Sequence, residues 1–185
     1  MSQQFPSLPN QANLGAVFSK FPNGVSPLLE LHDVVLRAES PFTIGERELI
    51  AAHVSGLNSC QYCHGAHTHI AKDFGIDPAL IESMQKDLDS SQVSSKLKPI
   101  LAYVSKLTLS PSNMTSRDAE AVYEAGWEER ALYDAILVCS LFNFMNRLVE
   151  GTGCTPNHHT QGKASTKPLE SYLAWGKDQG LANST

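Results

Sequence analysis

The feature that most constrains this chain is an apolar stripe along residues 127–150. One row of the stripe contains Trp127, Ala131, Ala135, Val138, Phe142, Met145 and Val149, and beside it lie Leu132, Ile136 and Cys139. Residues at these intervals share one side of an α-helix. Because the stripe is so wide, we predict a central and nearly buried helix, against which the other elements must pack.

Helical spacing and helix-end signals recur along the rest of the chain. Thr43 and Glu46 form a capping box that begins a helix running to about Leu57. Further helices are predicted at 27–37, 60–74, 78–88, 97–109, 115–126 and 169–177. No alternating apolar run of strand length remains, so the predicted fold class is all-α.

The composition is that of an ordinary globular protein with one core. The chain has 185 residues, of which 42% are hydrophobic and 18% are charged. We therefore predict a single domain over residues 1–185. Residues 1–25 contain several Pro, Asn and Gln residues and are predicted to be an irregular N-terminal arm. Residues 155–185 are predicted to be a loop followed by a short helix.

The charge pattern argues against several classes of partner. The net charge is −5 and no cluster of Lys or Arg is present, which argues against nucleic acid and against an anionic membrane surface. The first residues lack the pattern of a signal peptide, and no run of about 18 uninterrupted apolar residues occurs. We expect a cytoplasmic protein, in which four cysteines serve catalysis, metal binding or packing rather than structural disulfides.

Two thiols and an imidazole follow one another at helical spacing in Asn58-Ser-Cys-Gln-Tyr-Cys-His-Gly-Ala-His67. Cys60 and Cys63 are one turn apart and can form a disulfide if the geometry allows it. Cys63 and His67 share a helix face, so the imidazole can accept the thiol proton directly or through water. Glu48, on the preceding helix, is the best candidate to orient His67. This pattern predicts a Glu–His–Cys relay beside a second thiol.

Glu48, eleven further residues and then Cys60-x-x-Cys63-x-x-x-His67 resemble the signature of the alkylhydroperoxidase D and carboxymuconolactone decarboxylase superfamily. The resemblance is strongest to its peroxidase-related members, whose best-studied enzymes carry His at the position of Tyr62. It implies an all-helical, homo-oligomeric protein. By the same resemblance, Cys63 is the peroxidatic thiol, Cys60 the resolving thiol, and His67 with Glu48 the proton relay. Decarboxylases of the superfamily generally lack the cysteine pair, which disfavours lactone decarboxylation.

The predicted function is therefore that of a thiol-dependent hydroperoxide reductase. Its expected partners are a hydroperoxide substrate and an external dithiol, because the chain has no nucleotide-binding glycine pattern and no second close redox pair. We predict no cofactor and no metal. Three alternatives stay open: a redox-sensing module, a zinc-binding module without turnover, and a protein disulfide oxidoreductase.

The zinc alternative depends on histidines near the cysteine pair. The possible ligands are Cys60, Cys63, His67 and either His64 or His69. One helix cannot surround an ion with all four, because His64 and His69 project from other faces. A second segment, such as that of His158 and His159, would then be required. Those two histidines are themselves expected to be solvated loop residues.

Four further polar residues and the other two cysteines lie outside the motif. Cys139 has apolar neighbours and is predicted to pack in the core, and Cys154 is predicted to be non-catalytic. His53 is expected to pack on its own helix. Asn143, Asn146 and Arg147 are polar residues on the predicted central helix. They either line the pocket or satisfy helix ends and subunit contacts.

Overall fold

The computed structural model describes residues 4–155 and 168–182, and within them all regular structure is helical. The helices are α1 Leu14–Lys20, α2 Val25–Leu36, α3 Ile44–Leu57, α4 Gln61–Asp73, α5 Pro78–Lys86, α6 Lys98–Leu109, α7 Ser116–Glu124, α8 Glu129–Thr152 and α9 Tyr172–Asp178. A 3₁₀ turn, Pro111–Asn113, joins α6 to α7. The described residues contain no strand, so the predicted all-α class is confirmed.

Helix α8 is the central element that the apolar stripe predicts. Its Ala131, Ala135, Val138, Phe142 and Val149 are all buried. Gly153 ends the helix with a left-handed φ of 68°, a conformation that glycine adopts without steric cost. By length and composition α8 could cross a membrane, yet 56% of its apolar window is buried within the array, as in a core helix.

Helices α3 and α4 form the hairpin that carries the cysteine motif. The predicted capping box is present: the Thr43 hydroxyl accepts from the amide of Glu46, whose carboxylate accepts from the amide of Thr43. Gly45 lets the two helices approach, because a Cβ there would lie 2.8 Å from the Phe74 carbonyl oxygen. Ser59, with a φ of 57°, turns the chain sharply before Cys60. The hairpin thus fixes the N-terminus of α4 against the end of α3.

The N-terminal arm differs from the irregular segment predicted for residues 1–25. It contains α1, and α2 already begins at Val25. The Asn13 side chain caps α1 by accepting from the Ala16 amide at 2.9 Å, while Val17 and Phe18 are buried. So short a helix shows little periodicity in sequence, and its stability comes from burial of these side chains in the folded protein.

Helix α9 is held at the surface of α2 by one carboxylate. Asp33 accepts from the Ser171 hydroxyl and from the Tyr172 amide, each at 2.6 Å, and from the Leu173 amide at 3.2 Å. The free amides of a helix N-terminus are thereby satisfied from another helix. This contact brings Tyr172 into the core. His158 and His159 lie outside the described residues.

Candidate active site

Glu48 is a fully buried carboxylate on α3 with three hydrogen-bond partners. His67 Nδ1 donates to its Oε2 at 2.5 Å, which is the contact that the sequence spacing predicts. Its Oε1 accepts from the Arg37 guanidinium at 2.7 Å and from the Tyr172 hydroxyl at 2.9 Å. A buried carboxylate is tolerated only with such compensation.

The neighbours of Glu48 decide its charge state. Burial alone raises the pKa of the carboxyl, but the adjacent His67 and Arg37 outweigh burial and hold that pKa below its usual value. Glu48 is therefore an anion that accepts from all three partners. Because Nδ1 of His67 donates to it, Nε2 is the ring nitrogen left to exchange a proton.

Aromatic rings hold the His67 imidazole in place. Phe142 of α8 meets it edge-on with ring centroids 4.4 Å apart, and Tyr172 stacks beside it at 6.4 Å. The Arg37 guanidinium lies 4.8 Å above the Tyr172 ring and also donates to the Leu169 carbonyl. The orientation of His67 thus depends on α2, α3, α8 and α9 together.

Cys60 and Cys63 lie at the start of α4, and both are buried. They form a small apolar cluster with Val149, against which Leu14, Tyr62 and Cys154 pack. The Cys63 thiol beside it lowers the pKa of Cys60, against the opposing effect of burial. Conversely, the Cys60 thiolate and burial raise the pKa of Cys63. The two sulfurs therefore titrate as one coupled unit.

A cavity of about 600 Å³ opens beside this pair. Cys63 and His67 line it, whereas Cys60 does not. Most of its wall is apolar or aromatic, from residues that include Leu14, Phe18, Leu29, Phe142, Met145, Leu169, Tyr172 and Trp175. Among the described residues no hydrogen bond joins His67 to Cys63. Of the predicted relay, Glu48 and His67 are thus in direct contact. The His67 imidazole and the Cys63 sulfur line the same cavity without a hydrogen bond between them.

Three side chains of the site were not identified in the sequence. Arg37 and Tyr172 complete the shell around Glu48. His32 lines the cavity and donates from Nδ1 to the Leu28 carbonyl at 2.7 Å. Burial lowers the pKa of His32 to about 4, so the ring is neutral near pH 7. In the sequence, only His32 could have been recognised, as a histidine on the apolar face of α2. No local pattern marks Arg37 or Tyr172 as a site residue.

The polar residues of α8 form a network between α3 and α8. Asn58 donates to the side-chain oxygens of Asn143 and Asn146, and Asn146 donates to the Ser55 hydroxyl at 3.0 Å. Arg147 bonds the backbone and side-chain oxygens of Asn143. Within this network Asn146 affects the thiols, since its amide favours the Cys63 thiolate. The Glu150 carboxylate, also on α8, acts in the opposite direction and favours the protonated form of both cysteines.

Of the remaining candidates, only His69 borders the cavity. His53 is buried and bonds the Ser105 hydroxyl through Nε2 at 2.7 Å, and burial lowers its pKa to about 4. Cys139 is a core thiol that contacts Thr108. His64 bonds the Ala52 carbonyl, and His69 is exposed. In residues 4–155 and 168–182, no three His, Cys, Asp or Glu side chains are grouped to hold a metal ion.

Comparison with known proteins gives a matching sequence family and a shared fold. The sequence model of the Carboxymuconolactone decarboxylase family matches residues 27–85, which include most of α2, all of α3 and α4 with the cysteine motif, and most of α5. Mouse Sestrin-2 is 22% identical over 158 residues, covering 84% of this chain and 32% of its own length. The chain thus spans about a third of that relative.

Two crystal structures share the fold. An uncharacterized peroxidase-related protein from Silicibacter superposes with a TM-score of 0.75 at 22% identity, covering 86% of this chain and 92% of its own. An uncharacterized peroxidase-related protein from Ralstonia eutropha, described as an alkylhydroperoxidase AhpD core, gives 0.73 at 22% identity, with coverages of 78% and 76%. Residues 27–85 therefore carry the sequence pattern of the carboxymuconolactone decarboxylase family, within the fold of the peroxidase-related, alkylhydroperoxidase-like proteins.

Proposed function

We propose that this protein is a thiol-dependent reductase of organic hydroperoxides. The observation that carries the proposal is that the Cys63 thiol and the His67 imidazole line the same cavity. The buried carboxylate of Glu48 orients this imidazole. The second thiol, Cys60, lies behind the first and away from the cavity. A nucleophile, a base and an orienting carboxylate are the parts that covalent catalysis by a thiol requires.

The reaction divides into an oxidation and a resolution. His67 first accepts one proton from the thiol pair. The Cys63 thiolate attacks the terminal oxygen of the hydroperoxide, the O–O bond breaks, and the leaving alkoxide takes that proton from His67 to become an alcohol. Cys63 is now a sulfenic acid. Cys60 attacks its sulfur, water leaves, and a Cys60–Cys63 disulfide forms. An external dithiol then supplies two electrons, is itself oxidised to a disulfide, and restores both thiols.

Acidity and access favour different sulfurs of the pair. Cys60 is the more acidic thiol, but Cys63 is the one that meets the cavity. A proton passed from the Cys63 thiol to the Cys60 thiolate moves the negative charge to the cavity. Asn146 favours that charge by its amide. Cys63 is therefore assigned the attack and Cys60 the resolution.

The cavity wall indicates the substrate class. A volume of about 600 Å³ with a largely apolar lining exceeds what hydrogen peroxide fills and suits an alkyl or aryl group. Within it, the peroxide oxygens would meet Cys63 and His67, which both line the cavity. An organic hydroperoxide is therefore expected to react faster than hydrogen peroxide.

The direct test is peroxide consumption by the purified protein with a small dithiol as reductant. We expect cumene hydroperoxide to be consumed catalytically and to outcompete hydrogen peroxide, while Cys139→Ser, which alters a core thiol away from the cavity, behaves as the wild type. No consumption of either peroxide would overturn the proposal. Stoichiometric zinc in the inactive protein would then favour a metal-binding module.

A second copy of the chain is the partner that we propose for one exposed apolar surface. Leu31 and Val34 of α2 are 45% and 61% exposed, and Phe144 of α8 is 53% exposed. A largely apolar groove, separate from the cysteine cavity, is bordered by Phe21, Leu31 and Phe144. An apolar surface of this kind is commonly covered in an oligomer. Light scattering should give a mass that is a multiple of 20.1 kDa. Leu31→Lys should lower this mass, whereas Tyr133→Lys should leave it unchanged. A monomeric wild-type protein would refute the assembly.

A further inference from the structure

Cys154 lies against the same cluster as the redox pair. Gly153 turns the chain at the end of α8, and the Cys154 amide then donates back to the Val149 carbonyl at 3.1 Å. Val149 forms the buried cluster with Cys60 and Cys63, and Cys154 packs against that cluster. Three of the four cysteines therefore meet at one end of α8.

The N-terminal arm fixes Cys154 from its other side. The Thr155 amide donates to the Ala12 carbonyl at 3.0 Å, and Cys154 also packs against a second cluster made by Leu8, Ala12 and Val17. Backbone hydrogen bonds on both sides thus hold this thiol beside the pair. Its position is set by the fold, although it stands outside the Cys-x-x-Cys motif.

The three thiols differ in accessibility. Cys60 is 0% exposed and Cys63 is 4% exposed, whereas Cys154 is only partly buried. Disulfide reduction requires a thiolate to reach one sulfur of the bond. A Cys60–Cys63 disulfide offers little surface to a reductant, and Cys154 is the thiol of the cluster that a reductant can reach more easily.

We propose that Cys154 is a third redox thiol that carries the disulfide from the buried pair towards the surface. The Cys154 thiolate attacks the sulfur of Cys60, a Cys60–Cys154 bond forms, and the Cys60–Cys63 bond breaks to release the Cys63 thiolate. The proton lost by Cys154 ends on Cys63, and no net oxidation occurs. An external dithiol then attacks Cys154, releases Cys60, and leaves as its own disulfide.

The local charges make this exchange depend on the oxidation state of the pair. Burial raises the pKa of Cys154, the Thr152 hydroxyl 3.4 Å from its sulfur lowers it, and negative charge on Cys60 and on Glu150 raises it. A disulfide at Cys60 removes the charge on Cys60 and leaves that on Glu150. Cys154 therefore ionises more readily when there is a disulfide to attack, and less readily while the pair is reduced.

The proposal rests on the proposed redox function, but its first test does not require peroxide. In the Cys63→Ser, Cys139→Ser variant only Cys60 and Cys154 remain, and diamide should form a Cys60–Cys154 disulfide that mass spectrometry identifies in the monomeric chain. Adding Cys154→Ser should abolish it. If the folded double variant, checked by its melting curve, forms no such bond, Cys154 is not a partner of Cys60.

The second test separates the two halves of the cycle. In Cys154→Ser, rapid mixing with cumene hydroperoxide should oxidise the pair at the wild-type rate, while reduction of the oxidised protein by a dithiol slows by about tenfold or more. Cys139→Ser is the matched control and should leave both rates unchanged. Unchanged reduction in Cys154→Ser would overturn the role of Cys154. Absence of peroxide oxidation in the wild type would refute the proposed function, while the diamide result would still decide the proximity of the thiols.

Discussion

The two sides of the candidate site differ in polarity. On one side, Glu48 and His67 form a buried charged group that meets the cavity through His67, with each carboxylate oxygen bonded and the ring held between Phe142 and Tyr172. On the other side, Cys60 and Cys63 lie among apolar side chains and have few polar neighbours. Proton-handling groups are thus fixed, and thiols are left free to change bonding partners.

This difference has a physical cause. A buried charge costs several kcal/mol unless its hydrogen bonds are all made, so the Glu48 side must be rigid. Thiols are weakly polar and cost little to bury, so the cysteine side can rearrange without exposing an unsatisfied group. Variants on the two sides should therefore separate stability from chemistry.

The largest expected effect comes from the thiol side. Cys63→Ser should abolish peroxide consumption, whereas Cys60→Ser should be oxidised once to a sulfenic acid, provided that Cys154 is also replaced by Ser so that no neighbour resolves it. Dimedone trapping followed by mass spectrometry detects the sulfenic acid. Melting temperatures should change little in these variants. If dimedone instead traps a sulfenic acid on Cys60 in Cys63→Ser, and traps none on Cys63 when Cys60 and Cys154 are replaced, the two roles are reversed.

Glu48→Gln should lower activity and stability together. Loss of the orienting anion lowers the rate of oxidation by roughly 10² to 10⁴-fold, and Arg37 is left buried without its counter-charge at a cost of about 3–5 kcal/mol. Stopped-flow oxidation and urea unfolding measure the two effects.

His67→Gln is the matched variant, because it removes the base and leaves Arg37 and Tyr172 on Glu48. Its rate should fall on the same scale, with a smaller loss of stability. Equal losses of stability in both variants would contradict the view that the ion pair supports the fold.

Acidification tests the buried histidines. His32 and His53 both have their pKa lowered from 6.5 to about 4 by burial, so between those values the unfolded chain binds more protons than the folded one. Stability is therefore full above about pH 6.5 and falls towards pH 4, by up to about 3 kcal/mol for each ring. Urea unfolding at several pH values measures this slope. His53→Gln should reduce it without changing peroxide kinetics, whereas an unchanged slope would show that His53 does not titrate in this way.

The smallest effect is expected from Tyr172→Phe. It removes one of the three donors to Glu48 and keeps the ring that stacks near His67 and Arg37. The loss of one hydrogen bond to a charged group corresponds to about 1.5–3 kcal/mol of stability, with a few-fold decrease in rate. Unfolding and initial-rate measurements would detect both. A rate loss as large as that of His67→Gln would give the Tyr172 hydroxyl a direct part in the chemistry.

Much of the fold was predictable because its signals are local. Helical spacing identified α8 and its buried face, and the Thr43–Glu46 capping box marked the start of α3. The short helix α1 was missed, since seven residues give little periodicity and its burial against the array stabilises it. The single-domain prediction and the proposed roles of the site residues stay predictions.

The sequence by itself determined that Glu48, Cys60, Cys63 and His67 share one helical hairpin, because side-chain direction follows from residue spacing along neighbouring helices. Tertiary structure decided which further groups complete the site. Arg37 and Tyr172 meet Glu48 only after α2 and α9 dock, and Cys154 meets the cysteine pair only where α8 ends. No local pattern encodes such contacts, since they depend on how all the helices pack together. For the same reason the sequence predicted the relay but did not predict that His67 and Cys63 would line one cavity without a hydrogen bond between them.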